Sequence, residues 1–325
     1  MTMLTRGLGL SIALAGAAQA EDVTLRMATI DPSLGAALTM STFANVVSDQ
    51  LDGVTIEVAP GGAATVHMME VGRGNLDFSL TGPDIYNLMA AGKAMYAQQP
   101  DAPDLAENLA LLMWFPWGQY HFAVRDDSGI ETLDDIAGAT VFLGPQGGGA
   151  YNSTRGWIEA TTGLVAGEDY QTIKGTWETG FQAFLDGNVD VYVNGCIDPC
   201  GQFIRFTATE KLRFLGPESH EGEAVDAFLG PYRYRTEIPA GLYENQTNAG
   251  PVMSFDLSVG IAVRKDLNED LVYEITRAFW DNLDQVTADA PWARALDLTD
   301  AATQRGRIEL HPGAARYYGE VDVLN

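Results

Sequence analysis

The segment that most restricts the fold of this chain is Val141-Phe142-Leu143-Gly144-Pro145-Gln146-Gly147-Gly148-Gly149-Ala150-Tyr151-Asn152. A β-branched and aromatic run stops at Gly-Pro, three consecutive glycines follow, and the residues from Ala150 onward suit a helix, so the segment reads as strand, loop and helix N-terminus. Backbone N–H groups at such a helix start, reinforced by the helix dipole, form a site for a carboxylate, sulfate or phosphate. The spacing is not G-x-G-x-x-G and no Lys-Ser/Thr pair follows, which argues against a nucleotide site. Judged alone, the loop is equally well explained as a structural glycine turn.

The rest of the chain repeats this alternation. Val23 to Ala28, Val54 to Val58 and Leu76 to Leu80 read as strands; Ala36 to Leu51, Ala63 to Val71 and a segment through Tyr86, Leu88 and Met89 read as helices. Residues 97–107 suit a surface loop, Leu109 to Trp117 is densely apolar, Tyr120 to Val124 is a strand, and Ile130 to Gly138 a short helix. A helix from Ala150 to about Thr161, short strands at Gln171 to Lys174 and Val189 to Val193, and a helix from Trp177 to Leu185 follow. Beyond Gly201 the pattern loosens, with strands expected at Leu212 to Leu215 and Phe255 to Val263, an acidic loop at 217–226, and one long helix from Leu271 to Val286. Strand–helix alternation of this kind argues for parallel α/β units. Two such units are indicated, because Val54 to Ala63 parallels Thr140 to Ala150, and Gly74 to Phe78 parallels Gly187 to Val191, in the same order.

The first twenty residues have the form of a secretory signal: Arg6 in a short basic region, an apolar run from Leu8 to Ala18, and Ala18-Gln19-Ala20 as a cleavage site. About 305 residues then remain, enough for two domains, and no later stretch approaches the roughly 20 apolar residues that span a bilayer. The expected product is a periplasmic protein that does not itself span the membrane. Loss of the signal, with one Arg and no acid, moves the formal charge from -25 to -26. That balance opposes binding to nucleic acid or anionic lipid, both of which require basic surface. Cys196 and Cys200 form Cys-Ile-Asp-Pro-Cys, one residue longer than a redox C-x-x-C and without the further ligands zinc needs, so a small disulfide-closed loop is expected.

Ligands of open α/β sheets lie beyond the carboxyl ends of the strands. That rule gathers the loops at Thr29 to Gly35, Pro60 to Ala63, Thr81 to Asp84, Gln146 to Tyr151 and Asn194 to Gly195 around one crevice. Catalytic patterns are missing from the sequence: there is no G-x-S-x-G or H-E-x-x-H, and His67, His121, His220 and His311 are far apart. His67 with Glu70 reads as a helix face, and Asp126-Asp127 and Asp134-Asp135 as turn and first-turn residues. Neither a cofactor nor a metal is indicated.

Several segments in order, His121-Phe122-Ala123-Val124-Arg125-Asp126-Asp127-Ser128-Gly129-Ile130, Leu133-Asp134-Asp135-Ile136-Ala137-Gly138, Gly144-Pro145 with its glycines, Phe184-Leu185-Asp186-Gly187-Asn188-Val189-Asp190 and Ile308-Glu309-Leu310-His311-Pro312-Gly313-Ala314, resemble the TAXI family of solute-binding subunits of TRAP transporters. The resemblance spans nearly the whole mature chain. It implies a type II periplasmic binding-protein fold that closes on a small carboxylate, such as glutamate or a 2-oxoacid, and delivers it to an ion-coupled TRAP permease. The first loop departs from the family, which usually has a Gly-rich, Ser/Thr-containing loop with a Gly-Gly pair and aromatics; here it is Thr29-Ile30-Asp31-Pro32-Ser33-Leu34-Gly35, and Asp31 bears on the ligand class.

The combined expectation is an α/β protein of two lobes, residues 21–123 with 253–325 and residues 124–252, hinged by strands near Tyr120 to Arg125 and Ser254 to Val263. The expected ligand site is Gln146, Gly147, Gly148, Gly149, Ala150, Tyr151 and Asn152, with Trp177, Glu178 and Asn194, facing Ser33, Gly61, Gly62, Thr81 and Asp84. Arg155, one turn into its helix, is a further candidate, although an Arg on a helix is more often solvated. An exported enzyme and a ligand-sensing module for a membrane kinase are the alternatives on the same fold.

Overall fold

A computed structural model of the protein describes residues 22–32 and 34–324. The expected signal segment and Ser33 lie outside the described residues. The chain begins as β1 (Val23–Ala28), α1 (Gly35–Gln50), β2 (Val54–Ala59), α2 (Ala64–Gly72), β3 (Phe78–Thr81) and α3 (Pro83–Ala90), then α4 (Ala102–Ala106) and β4 (Leu109–Pro116). A second unit follows: β5 (Tyr120–Arg125), β6 (Thr140–Phe142), α5 (Gly149–Thr162), β7 (Gln171–Thr172), α6 (Trp177–Leu185), β8 (Val191–Gly195), α7 (Gly201–Thr207), β9 (Leu212–Phe214) and α8 (Glu223–Leu229). The return path is β10 (Arg233–Ile238) and β11 (Val252–Arg264), after which α9 (Glu269–Asp281), α10 (Leu283–Asp289), α11 (Leu298–Ala302) and α12 (Pro312–Glu320) complete the chain.

Two sheets result. The first has the order β10-β11-β3-β1-β2, with β4 also on β11; the second has the order β7-β6-β8-β5-β9. This is the expected two-sheet α/β architecture. It is mixed rather than wholly parallel: β1 runs parallel to β2 and β3, and β6 to β7 and β8, whereas β11 and β5 run antiparallel to every neighbour. The burial pattern explains the strand sequences. β3 is buried at every residue and β4 at all but Pro116, hence their continuous apolar runs, while β2 at the sheet edge alternates. α1 buries Met40, Phe43, Ala44 and Val47, one helical stripe. Phe43 is fully buried against Phe78 and Phe279, with ring centroids 6.2 and 5.2 Å away, which ties α1 to β3 and α9.

The chain crosses between the sheets from β4 to β5 and returns from β9 to β10; the first crossing packs against β11, whose Ser254 hydroxyl donates to the Tyr120 carbonyl, and this contact forms a seam. β4 gives way to β5 across residues 117–119, and the whole of β5 hydrogen-bonds in the second sheet, so the expected boundary at residue 123 falls inside that strand. β11 serves both units. Its first half pairs with β10 and seats Phe255 among Tyr120, Trp157 and Phe228, whose ring centroids lie 4.7–5.2 Å away; its second half pairs with β3 and β4. Between these halves, Asp256 Oδ1 accepts from the Gly118 amide at 3.0 Å and from the Leu257 amide at 2.6 Å. The structure joins Cys196 to Cys200, and the loop they close packs on the same crossing through the Cys196 amide, which donates to the Gln119 carbonyl at 3.2 Å.

Some expected elements change form. Residues 97–107 contain α4; Ile130 to Gly138 contracts to a 3-10 turn at Leu133–Asp135 held by the Thr132 and Asp135 side chains; and the helix from Leu271 breaks at Asn282, whose side chain turns back to the Ala278 carbonyl. The 217–226 loop ends in α8, because Val225 and Leu229 find the core despite acidic neighbours. β10 lies within the stretch read as irregular. Among the described residues no helix is long and apolar enough to cross a membrane.

Candidate functional site

The carboxyl ends of β1, β2, β3 and β6 open onto a cleft of about 950 Å³ between the sheets. Five helices begin along it. Leu34, Ala63, Gly82 and Gly148, the residues preceding α1, α2, α3 and α5, offer no side-chain cap; Ala37 and Val66 donate back to the Leu34 and Ala63 carbonyls, and no side chain of the preceding residue covers the rest of these first turns. α6, the fifth, is closed by a capping box between Thr176 and Thr179. Of the helices that begin elsewhere, α9, α11 and α12 are capped by Asn268, Asp297 and His311, while α4, α7, α8 and α10 have no side-chain cap either.

α5 is held to β6 by Thr154, whose hydroxyl donates to the Leu143 carbonyl at 2.9 Å. Before it the chain makes a tight turn in which the Gly148 amide donates to the Pro145 carbonyl at 3.1 Å, and Gly149 comes against Ile85 of α3. The two walls therefore meet at this point. Beside this contact lies a charge pair: Arg233 of β10 is hydrogen-bonded to the Asp84 carboxylate on the first turn of α3. The guanidinium lies 4.5 Å above the Phe228 ring, donates to the Phe228 carbonyl at 2.6 Å, and leaves its buried Nε unpartnered. Burial raises the Asp84 carboxyl above the usual carboxylate range, and the Arg233 charge only partly offsets this. Beside that pair, Asn87 donates to the Tyr232 hydroxyl at 3.1 Å.

Of the expected site residues, Gly61, Gly62, Thr81, Asp84, Gln146, Gly147, Gly148, Gly149, Ala150, Asn152 and Trp177 line the cleft together. Tyr151, Glu178 and Asn194 do not. The Tyr151 hydroxyl turns to Thr172 on β7, 3.4 Å away; Glu178 is exposed; and Asn194 is buried at the end of β8, donating to Gln202 at 2.6 Å. Arg155 is exposed and off the cleft. Sequence reading missed Arg233, Tyr232, Asn87 and Ser258, which also line it. A Pro-bracketed run of tyrosines and arginines carried the only hint of β10, and the Asp84 that Arg233 meets is on a helix 149 positions away.

The remaining titratable groups have structural tasks. His121 is buried between Asp198, 2.9 Å from its Nε2, and the Gln119 carbonyl, 2.9 Å from its Nδ1. His311 caps α12, and Glu70 pairs with Arg73 and Asn75 on the surface. Among the described residues no cluster of three or more His, Cys, Asp or Glu is arranged to hold a metal.

The sequence pattern of the NMT1-like family matches residues 33–321, so the chain belongs to that family. Among solved structures, it is similar to PhnD1 from Prochlorococcus marinus (MIT 9301) in complex with methylphosphonate, at 11% identity and a TM-score of 0.51 over 92% of this chain and 96% of that one. It is also similar to the alkanesulfonate-binding protein SsuA from Xanthomonas axonopodis pv. citri bound to MOPS, at 16% identity and a TM-score of 0.50 over 85% of this chain and 79% of that one. At these identities the likeness concerns the fold, two α/β units facing each other across a cleft.

Proposed function

We propose that this member of the NMT1-like family is an extracytoplasmic receptor that captures a small organic anion, a carboxylate, and delivers it to a TRAP-type ion-coupled permease, as its TAXI-like motifs imply. One observation carries the reading: four helix N-termini without caps and the guanidinium of Arg233 converge on a single cleft between two sheets. Oriented N–H groups and a fixed cation hold an anion without any reacting group beside it. That both structural relatives hold anions, a phosphonate and a sulfonate buffer, agrees with this chemistry. The two lobes close by hinge motion at the seam, and ligand contacts to both walls stabilise the closed form. The signal-like first twenty residues fit a periplasmic location.

Native mass spectrometry of the purified mature chain identifies a retained solute, and a thermal shift on adding it back, with the solute recovered chemically unchanged, supports the receptor role. Recovery of a converted product overturns it. Solute uptake by proteoliposomes holding a TRAP permease, dependent on the added protein, tests delivery.

A further inference from the structure

Resting on that receptor reading, we infer that the captured solute is an amphipathic monoanion, one carboxylate-like head group on an apolar body, rather than a polar dicarboxylate. The cleft is two surfaces in one. Its anion-facing part is confined to the glycine loops and Arg233, whereas much of the rest is Ile30, Val66, Leu80, Ile85, Leu88 and Trp177. Val66 is 57% exposed, an apolar side chain held open on the cleft wall. About 950 Å³ lies at the upper end of the range of roughly 300–1,000 Å³ usual for sites that enclose drug-sized molecules. A short polar solute leaves this wall against water and gives up its own hydration on entering; an apolar body removes the wall from water.

Charge sets the number of head groups. Among the described residues the cations on the cleft wall are Arg233 and Lys93, and Lys93 is exposed to solvent. Arg233 already faces Asp84, so a single incoming anion either takes the place of Asp84 on the guanidinium or shares it. A second carboxylate meets no second buried cation, only helix N–H groups, which offset less of its desolvation cost.

The test is isothermal titration of the mature chain with two probe sets, 3-phenylpropionate and hexanoate against 2-oxoglutarate and glutamate. Binding of the first set at least tenfold tighter is expected. In Leu88→Asn, which places an amide in the apolar wall, the first set should weaken about tenfold and the second should not change. Tighter binding of the dicarboxylates overturns the inference and leaves the receptor reading standing. Binding of neither set, or conversion of any probe, overturns both. The ranking on the unsubstituted protein decides the matter if Leu88→Asn does not fold.

Discussion

The two glycine loops that face each other across the cleft look alike in sequence, Pro60-Gly61-Gly62-Ala63 and Pro145-Gln146-Gly147-Gly148-Gly149-Ala150, yet their glycines answer to different constraints. Gly62 sits at φ +88° with the His67 imidazole packed against it, and a Cβ there would lie 2.5 Å from Nε2. This loop is folded onto its own helix. Gly148, at φ -83° and ψ 161°, occupies backbone any residue adopts, and a Cβ there would come within 4 Å of the Pro145 carbonyl alone, at 3.1 Å. Its hydrogen is what the cleft has in place of a side chain. One loop uses glycine to fold and the other to leave room, so similarity of motif does not establish similarity of role.

The cleft also holds a charge pair, Asp84 on α3 with Arg233 on β10. The largest expected effect follows from removing the cation. Arg233→Met should weaken anion binding by roughly 2–5 kcal/mol, thirtyfold or more, since it deletes a charged partner in a partly desolvated site. Asp84→Asn should have the opposite sign, tightening a monoanion by removing its competitor for the guanidinium. Titration calorimetry on the two variants separates these outcomes; equal losses in both would mean that the pair only ties α3 to β10.

Next in size is Gly62→Val. A β-branched residue at positive φ beside His67 should cost about 1–3 kcal/mol of stability, read from urea midpoints, with affinity of the folded fraction little changed. Gly148→Val should do the reverse, leaving stability within about 0.5 kcal/mol while lowering affinity about tenfold by keeping the anion off the backbone. A stable Gly62→Val that no longer binds, or a Gly148→Val that unfolds, would exchange the roles assigned to the two loops.

The difference between the loops also marks how far the sequence could be read. Strand, glycine turn and helix are local events set by φ preference and hydrophobic period, and β6, α5 and their counterparts in the first unit formed where those rules place them. Gln146 to Ala150 reached the cleft for the same reason. Tyr151 did not, since one step along a helix turns a side chain about 100° and sends this one toward β7. Asn194 sits at a strand end as expected, but on the face covered by α7. Arg233 was invisible because its partner Asp84 lies 149 positions away in sequence, and because its strand alternates polar side chains in a way that resembles a loop. The two strands of the seam were expected from the sequence, but their antiparallel pairing was not, since it depends on partners far along the chain.

Asp256, in the seam that joins the two walls, gives the smallest and most diagnostic prediction. Burial pushes its carboxyl up to about 7; the amides of Leu257 and Gly118 pull the other way, and Asp198 adds repulsion. In the unfolded chain the same group titrates near 3.9. Between those values the folded protein binds a proton that the unfolded chain has released, so stability falls as pH rises from about 4 to about 7 and is level above, with a slope from this group of at most about 1.4 kcal/mol per pH unit. Asp84, raised by burial on the first wall, contributes with the same sign. Asp256→Asn keeps an oxygen for the two amides and removes the proton, so its urea midpoints at pH 5, 6, 7 and 8 should vary less than those of the unsubstituted protein. An unchanged slope would place the titration elsewhere, with Asp84 on the wall rather than the seam as the next residue to replace.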